Sequence, residues 1–148
     1  MKESAMANKV GLKKVVEKMN LKNLTPDVDL TEKKVEVPDI NRPALQLTGF
    51  FEHFDSERVQ IIGYVEYTFL ETMDEKTKEE TYETLLSYQI PCIIFCRNLP
   101  PEPMLLEKAT RANIPVFITE KQTSEFTAEI IRWLNVALAP CISIHGVL

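Results

Sequence analysis

Three polar residues stand where a parallel sheet would hold a ligand. Arg97 and Asn98 follow the apolar segment 90–96, and Thr119 follows the short apolar segment 116–118. If both segments are parallel strands, these residues lie at the carboxyl edge of the sheet, where open α/β sheets bind ligands. The group would suit a small anion or metabolite. Loop residues that only cap the next helix have the same pattern, so this alternative stays open.

Two cysteines on the first of these segments raise the question of a metal site. Cys92 and Cys96 have the same parity on a strand, so their thiols could face the same side. Zinc needs about four ligands, and no Cys/His cluster supplies the others. We therefore predict small buried core thiols and no metal site in this chain. Together with Cys141 they make an odd number, which favours a reducing compartment, the cytoplasm.

The remaining charged residues have simpler interpretations. Arg42 and Arg58 could hold an anion by bidentate contacts, but ordinary ion pairs with nearby carboxylates are the expected arrangement. His53 stands among phenylalanines and is interpreted as a partly packed surface histidine. The acidic run between residues 71 and 83 is typical of a solvated helix face.

Hydrophobic spacing predicts the elements that position these residues. In the first half it indicates a helix over 12–19, a connection over 21–34, a short strand near 35–37, a helical turn at 44–47 and a strand over 59–62. The segment from Tyr64 to Leu70 is rich in β-forming residues, which predicts either a second strand after Gly63 or one long strand broken at Gly63. A helix is predicted from Asp74 to near Tyr88.

The second half has a regular order of elements. Apolar segments 90–96 and 116–118 alternate with helical segments 102–112 and 124–138. This β-α-β-α order predicts a largely parallel sheet covered on both faces, a three-layer α/β/α fold. Thr123 or Ser124 is predicted to cap the last helix, with Glu125 in its first turn. The expected buried side of that helix consists of Phe126, Ile130, Trp133, Leu134 and Ala137.

Composition excludes several classes of function. The chain has 148 residues, of which 45% are hydrophobic, so it has the composition of one globular domain. It carries 22 acidic and 17 basic residues, which argues against a nucleic-acid partner. No apolar stretch approaches the ~20 residues of a membrane helix, so we expect neither membrane insertion nor export. Its four glycines form no phosphate-binding loop of the dinucleotide or P-loop kind.

Longer motifs resemble one known family. The segments DINRPALQLTGF (39–50) and SERVQIIG (56–63), with Glu66 and Phe69, are similar to the N-terminal domain of HPr kinase/phosphorylase. The segments 91–98 and 114–116, and LAPCISIHGVL over 138–148, extend the resemblance to about residues 9–148. Ala44 departs from the family pattern, which usually has glycine after Arg-Pro.

The resemblance implies a bifunctional bacterial enzyme of carbon metabolism. With ATP or pyrophosphate such an enzyme phosphorylates a serine of HPr, the phosphocarrier of the sugar phosphotransferase system, and it reverses this step by phosphorolysis. The family's Mg²⁺-dependent site combines a P-loop, an aspartate, a lysine and a histidine. Only the histidine falls in this chain, at His145.

The resemblance also implies a division of the chain. Residues 1–140 would be an N-terminal assembly or regulatory domain, and 141–148 the first strand of a P-loop catalytic domain. The apolar pattern alone suggests instead that 141–148 is a third parallel strand of the first domain. The fold implied is like that of the N-terminal domain of muramyl-peptide ligases. Family members form hexamers.

Two functions therefore compete. The chain is either the inactive N-terminal part of a kinase/phosphorylase, with no cofactor of its own, or a stand-alone sensory domain of the same fold. The sensory domain would hold a small anion or metabolite at Arg97, Asn98 and Thr119.

Overall fold

The computed structural model describes residues 9–140. The strands are β1 (Val10–Gly11), β2 (Lys22–Asn23), β3 (Lys34–Val35), β4 (Ile40–Asn41), β5 (Val59–Ile62), β6 (Ile93–Phe95) and β7 (Val116–Ile118). The helices are α1 (Leu12–Met19), α2 (Ala44–Leu47), α3 (Tyr64–Glu71), α4 (Glu75–Leu86), α5 (Pro103–Arg111) and α6 (Thr123–Ala137).

A five-stranded sheet forms the centre of the domain, in the order β2-β7-β6-β5-β4. Strands β4 to β7 are parallel, and β2 joins the edge antiparallel to β7. Strands β1 and β3 form a separate antiparallel pair. The predicted α/β class with a largely parallel sheet is confirmed, whereas the likeness to muramyl-peptide ligases stays a prediction.

Successive side chains of each strand point to opposite faces of the sheet, so each face has its own hydrophobic core. Ile61, Ile94 and Phe117 pack with the buried sides of α1 and α6, and we call this side the α1–α6 face. Ile62 and Phe95 point the other way and pack with the buried residues of α2 to α5, the α2–α5 face. Helices therefore cover both faces of the sheet, as the order of elements predicted.

The segment after Gly63 is a helix, so the predicted strand over 64–70 is wrong. The Gly63 N–H donates to Glu66 Oε1 at 2.7 Å, and the helical ladder begins with the Tyr67 N–H donating to the Gly63 carbonyl at 2.9 Å. This turn holds the backbone in a helix although its residues favour strands, because intrinsic β-preference is easily overridden by tertiary context. Val65 and Phe69 are exposed on the helix surface.

The predicted cap of the last helix is also wrong. Gln122 is the N-cap of α6 and its side chain makes no capping hydrogen bond, while Thr123 is the first helical residue and is buried. The buried side matches the prediction at Phe126, Ile130 and Leu134, and Trp133 and Ala137 are partly buried against the same core. Glu125 lies in the first turn as expected.

The two cysteines of the described region are fully buried, which confirms that they are core thiols. Both belong to the α1–α6 face. Burial raises the pKa of Cys92 to about 12. Burial also raises the pKa of Cys96 to about 11, although the neighbouring Thr123 hydroxyl and Arg42 partly offset the effect.

These thiols should be unreactive in the folded chain. The Cys141→Ser variant leaves only Cys92 and Cys96, and we expect neither thiol to react with Ellman's reagent within minutes at pH 8. At that pH less than about one in a hundred molecules carries the thiolate form of either cysteine, and both side chains are inaccessible to the reagent. Both should react at once in guanidinium chloride. Fast reaction of either thiol in the native protein would contradict the buried placement.

Candidate functional site

The structure brings together two of the three residues predicted to bind a ligand. The Asn98 N–H donates to the Thr119 carbonyl at 2.9 Å, and both residues line a cavity of about 230 Å³ at the carboxyl end of β7. Lys22 and Lys121 contribute the basic side chains of this cavity. Two polar residues, two lysines and Glu120 thus line one small cavity.

Arg97 faces elsewhere. Its backbone N–H donates to the Lys121 carbonyl at 2.9 Å, which ties the β6–α5 loop to the β7–α6 loop. Its guanidinium carbon lies 5.7 Å from the centre of the Tyr64 ring, at the start of α3. Arg97 and Asn98 have φ angles of 60° and 55°, a left-handed conformation unusual for two successive non-glycine residues. This turn of the backbone separates Arg97 from the cavity that Asn98 lines.

The basic groups of the cavity are partly neutralised. Lys121 forms an ion pair with Glu129, and the hydrogen bond between them raises the pKa of the lysine. Glu120 also lines the cavity. Lys22 is exposed, so its attraction for an anion is screened by solvent. The cavity therefore offers an anion less net positive charge than its two lysines suggest.

A second cluster at the same sheet edge lies at the ends of β4 and β5. Arg42 forms a bidentate pair with Glu66, from Nε to Oε2 at 3.0 Å and from Nη2 to Oε1 at 2.8 Å. Because the Gly63 N–H also donates to Oε1, the carboxylate receives three hydrogen bonds. The Glu66 side chain is 3% exposed and that of Arg42 is 38% exposed. The predicted ion pairing of Arg42 is confirmed.

Gly63 lets α6 approach this cluster. A Cβ placed on Gly63 would lie 2.7 Å from Arg42 Nη2 and 2.7 Å from Thr123 Oγ1, so only a residue without a side chain fits between them. Thr123 is 8% exposed, and its hydroxyl lies beside the buried thiol of Cys96. Sequence reasoning missed this site. The signal available was a glycine after a buried strand with a glutamate three residues later.

The other charged residues adopt the arrangements predicted for them. Arg58 pairs with Asp39 at 3.4 Å and with Asp55 at 3.8 Å. His53 is exposed at the surface. On the acidic face of α4, Glu79 and Glu83 both pair with Lys108 of α5.

Two further observations concern metals and membranes. Within residues 9–140, no group of three or more His, Cys, Asp or Glu side chains could hold a metal ion. No helix in that range is long and apolar enough to span a bilayer.

The predicted catalytic residue cannot be placed. His145 lies outside the described residues, as does the whole segment 141–148 that was assigned to a catalytic domain. Both assignments stay predictions.

Loss of the Glu66 charge should destabilise the domain. Glu66→Gln replaces a buried carboxylate that accepts three hydrogen bonds, and we expect the free energy of unfolding to fall by about 2 kcal/mol. The loss is smaller than for a fully buried ion pair because the Arg42 side chain is partly exposed and stays partly solvated. Glu107→Gln is the matched control. It removes an exposed pair with Arg111 and should change stability by less than about 0.5 kcal/mol. Urea unfolding measures both variants, and equal effects would contradict the central role of Glu66.

Comparison with known proteins gives the family. A family model described as HPr Serine kinase N terminus matches residues 10–134. The HPr kinase/phosphorylase of Lachnoclostridium phytofermentans is 52% identical over 139 residues, which cover 94% of this chain and 45% of that protein. The HPr kinase/phosphorylase of Alkaliphilus metalliredigens is 37% identical with the same coverage. The chain thus spans about half the length of the curated relatives that it matches.

A solved structure shares the fold at low sequence identity. It contains the CBS and DRTGG domains of the regulatory region of Clostridium perfringens pyrophosphatase, complexed with the activator diadenosine tetraphosphate. The match has a TM-score of 0.58 at 15% identity and covers 93% of this chain and 52% of the other. At this identity it shows the fold alone. The family match and the two relatives show that this chain belongs to the family of HPr serine kinase N-terminal domains.

Proposed function

We propose that residues 1–140 are the N-terminal assembly or regulatory domain of a bifunctional HPr kinase/phosphorylase. The enzyme would phosphorylate a serine of the phosphocarrier HPr with ATP or pyrophosphate, and reverse this step by phosphorolysis, to regulate carbon metabolism in the bacterial cytoplasm. One observation carries the proposal. The chain is 52% identical to such an enzyme over 94% of its own length, yet it covers only 45% of that enzyme.

The chemistry itself would belong to the other part of the enzyme. The 148 residues contain no G-x-x-x-x-G-K-[ST] loop, and phosphoryl transfer depends on such a loop and on Mg²⁺ to hold and neutralise the phosphates. ATP or pyrophosphate and Mg²⁺ would therefore bind beyond this domain. Residues 141–148 would form the first strand of the catalytic domain, with His145 contributing to its site.

An assembly or regulatory role fits the fold. The solved structure of similar fold comes from a regulatory region, in which a ligand acts as an activator. In the hexamer expected for the family, such a domain would support self-association or transmit a signal to the catalytic part. The likeness to the N-terminal domain of muramyl-peptide ligases is part of the same proposal.

An exchange of domains tests this proposal. The 148-residue chain alone should not phosphorylate HPr from ATP or pyrophosphate, because it lacks a phosphate loop. A hybrid enzyme, in which this chain replaces the matching segment of the Lachnoclostridium phytofermentans enzyme, should phosphorylate HPr. Transfer of labelled phosphate to HPr measures this activity. Activity of the isolated chain, or a folded but inactive hybrid, would refute the assignment.

The two histidines of the chain give a matched test of the proposed catalytic residue. In the hybrid enzyme, His145→Ala should lower kcat by about a hundredfold or more, the usual effect of losing a residue that moves a proton. His53→Asn should leave kcat unchanged, because His53 is exposed and asparagine tolerates its positive φ angle of 61°. Equal activity of the two variants would remove His145 from the site.

A further inference from the structure

A cavity of about 370 Å³ opens on the α2–α5 face of the sheet, between α3, α4 and the loop that follows β6. Its apolar wall consists of Leu70, Phe95 and Pro101. Leu70 and Phe95 also belong to the hydrophobic core of this face, so the wall is rigid. Because Phe95 ends β6, the cavity lies near the carboxyl edge of the sheet, where open α/β sheets bind ligands. Its volume is in the range of sites for small molecules.

Two tyrosines form another part of the wall. Tyr67 comes from α3 and Tyr82 from α4. The Tyr67 hydroxyl donates to the Pro100 carbonyl at 2.7 Å, and its ring meets that of Phe95 edge to face, with 6.3 Å between the ring centres. Tyr82 is buried and its hydroxyl hydrogen-bonds the Glu102 carboxylate. These contacts hold the rings in place, and the faces of aromatic rings attract cations.

The charged groups around this cavity carry an excess of negative charge. Lys78 lines the cavity and pairs with Glu102, and its side chain is only 12% exposed. The hydrogen bond with Glu102 raises the pKa of Lys78, and the charges of Glu75 and Glu71 act in the same direction. Glu71 lines the cavity as well, is exposed to solvent, and has no ion-pair partner within residues 9–140. One carboxylate of the cavity is therefore left for a ligand.

We propose that this cavity binds a small organic amine in its ammonium form. Tyr67 and Glu71 lie one turn apart on α3 and so share a face of the helix, where the ammonium would donate to the carboxylate and lie against the ring. The apolar body of the amine would pack on Leu70 and Phe95. An anion is disfavoured, because the ammonium of Lys78 is already paired and the other nearby charges are carboxylates. The site shares no lining residue with the cavity at the end of β7 and does not depend on the proposed kinase assignment.

Titration of the 148-residue chain with 2-phenylethylamine tests the site, and 2-phenylethanol is the uncharged probe of similar shape. Amide resonances of residues 67–71 and 100–102 should shift with the amine. At equal ionic strength the amine should bind about tenfold more tightly than the alcohol, because only the amine gains from the carboxylate and the ring faces. Equal affinity of the two probes, or no shift of these resonances with the amine, would overturn the proposal.

One pair of variants tests the carboxylate. Glu71→Gln should weaken binding of the amine about fivefold and leave binding of the alcohol unchanged. Its melting temperature should stay the same, because the exposed Glu71 side chain has no ion pair among the described residues to lose. Glu17→Gln is the matched control, since it removes an exposed carboxylate from α1 on the opposite face of the sheet and should bind the amine normally. Equal weakening in both variants would reduce the effect to net charge and refute the site.

A second pair of variants tests the aromatic ring. Tyr67→Phe and Tyr67→Leu both lose the hydrogen bond to the Pro100 carbonyl, but only the phenylalanine variant keeps a ring. The phenylalanine variant should bind the amine within about twofold of the unchanged chain, and the leucine variant about fivefold less tightly. Equal affinity of these two variants would contradict the proposed site, because an indirect effect through the loop lowers both alike. Activity of the hybrid enzyme toward HPr is a separate measurement and does not depend on this result.

Discussion

The buried carboxylate of Glu66 is the interaction on which the carboxyl edge of the sheet depends. It accepts hydrogen bonds from the Gly63 N–H at the end of β5 and from Arg42 at the end of β4. One side chain therefore fixes the ends of two neighbouring parallel strands and turns the chain into α3. It also orients the Arg42 guanidinium, which with Thr123 of α6 closes the space above Gly63.

The sequence predicted the parts of the fold that rest on local periodicity. The alternation of apolar strands with amphipathic helices after residue 90, and the buried thiols of Cys92 and Cys96, follow from patterns within a few residues. The helix after Gly63 was missed because β-preference outweighed the local Gly63–Glu66 signal, whose strength depends on Arg42 holding the carboxylate from 24 residues away. The antiparallel edge strand β2 pairs with β7, with Lys22 opposite Ile118 far along the chain, so it gives no local signal either.

The ligand site at Arg97, Asn98 and Thr119 stays a prediction, and the structure shows only which of these residues lie together. The rule that parallel strands present their carboxyl ends at one edge places Arg97, Asn98 and Thr119 near each other. Side-chain direction then depends on the left-handed backbone at residues 97 and 98, which residue types alone do not reveal. Thr123 or Ser124 was expected to cap the last helix, whereas the small size of Gly63 allows Thr123 to be buried beside it in the first turn.

The proposal that catalysis lies outside residues 1–140 rests on the absence of a G-x-x-x-x-G-K-[ST] loop from the 148 residues. The measurement that tests this account most directly is the sequence of the gene beyond the codon for Leu148. Our account predicts that the reading frame continues into a G-x-x-x-x-G-K-[ST] loop within a few tens of residues. A stop codon directly after Leu148 would contradict it and leave a free-standing binding domain.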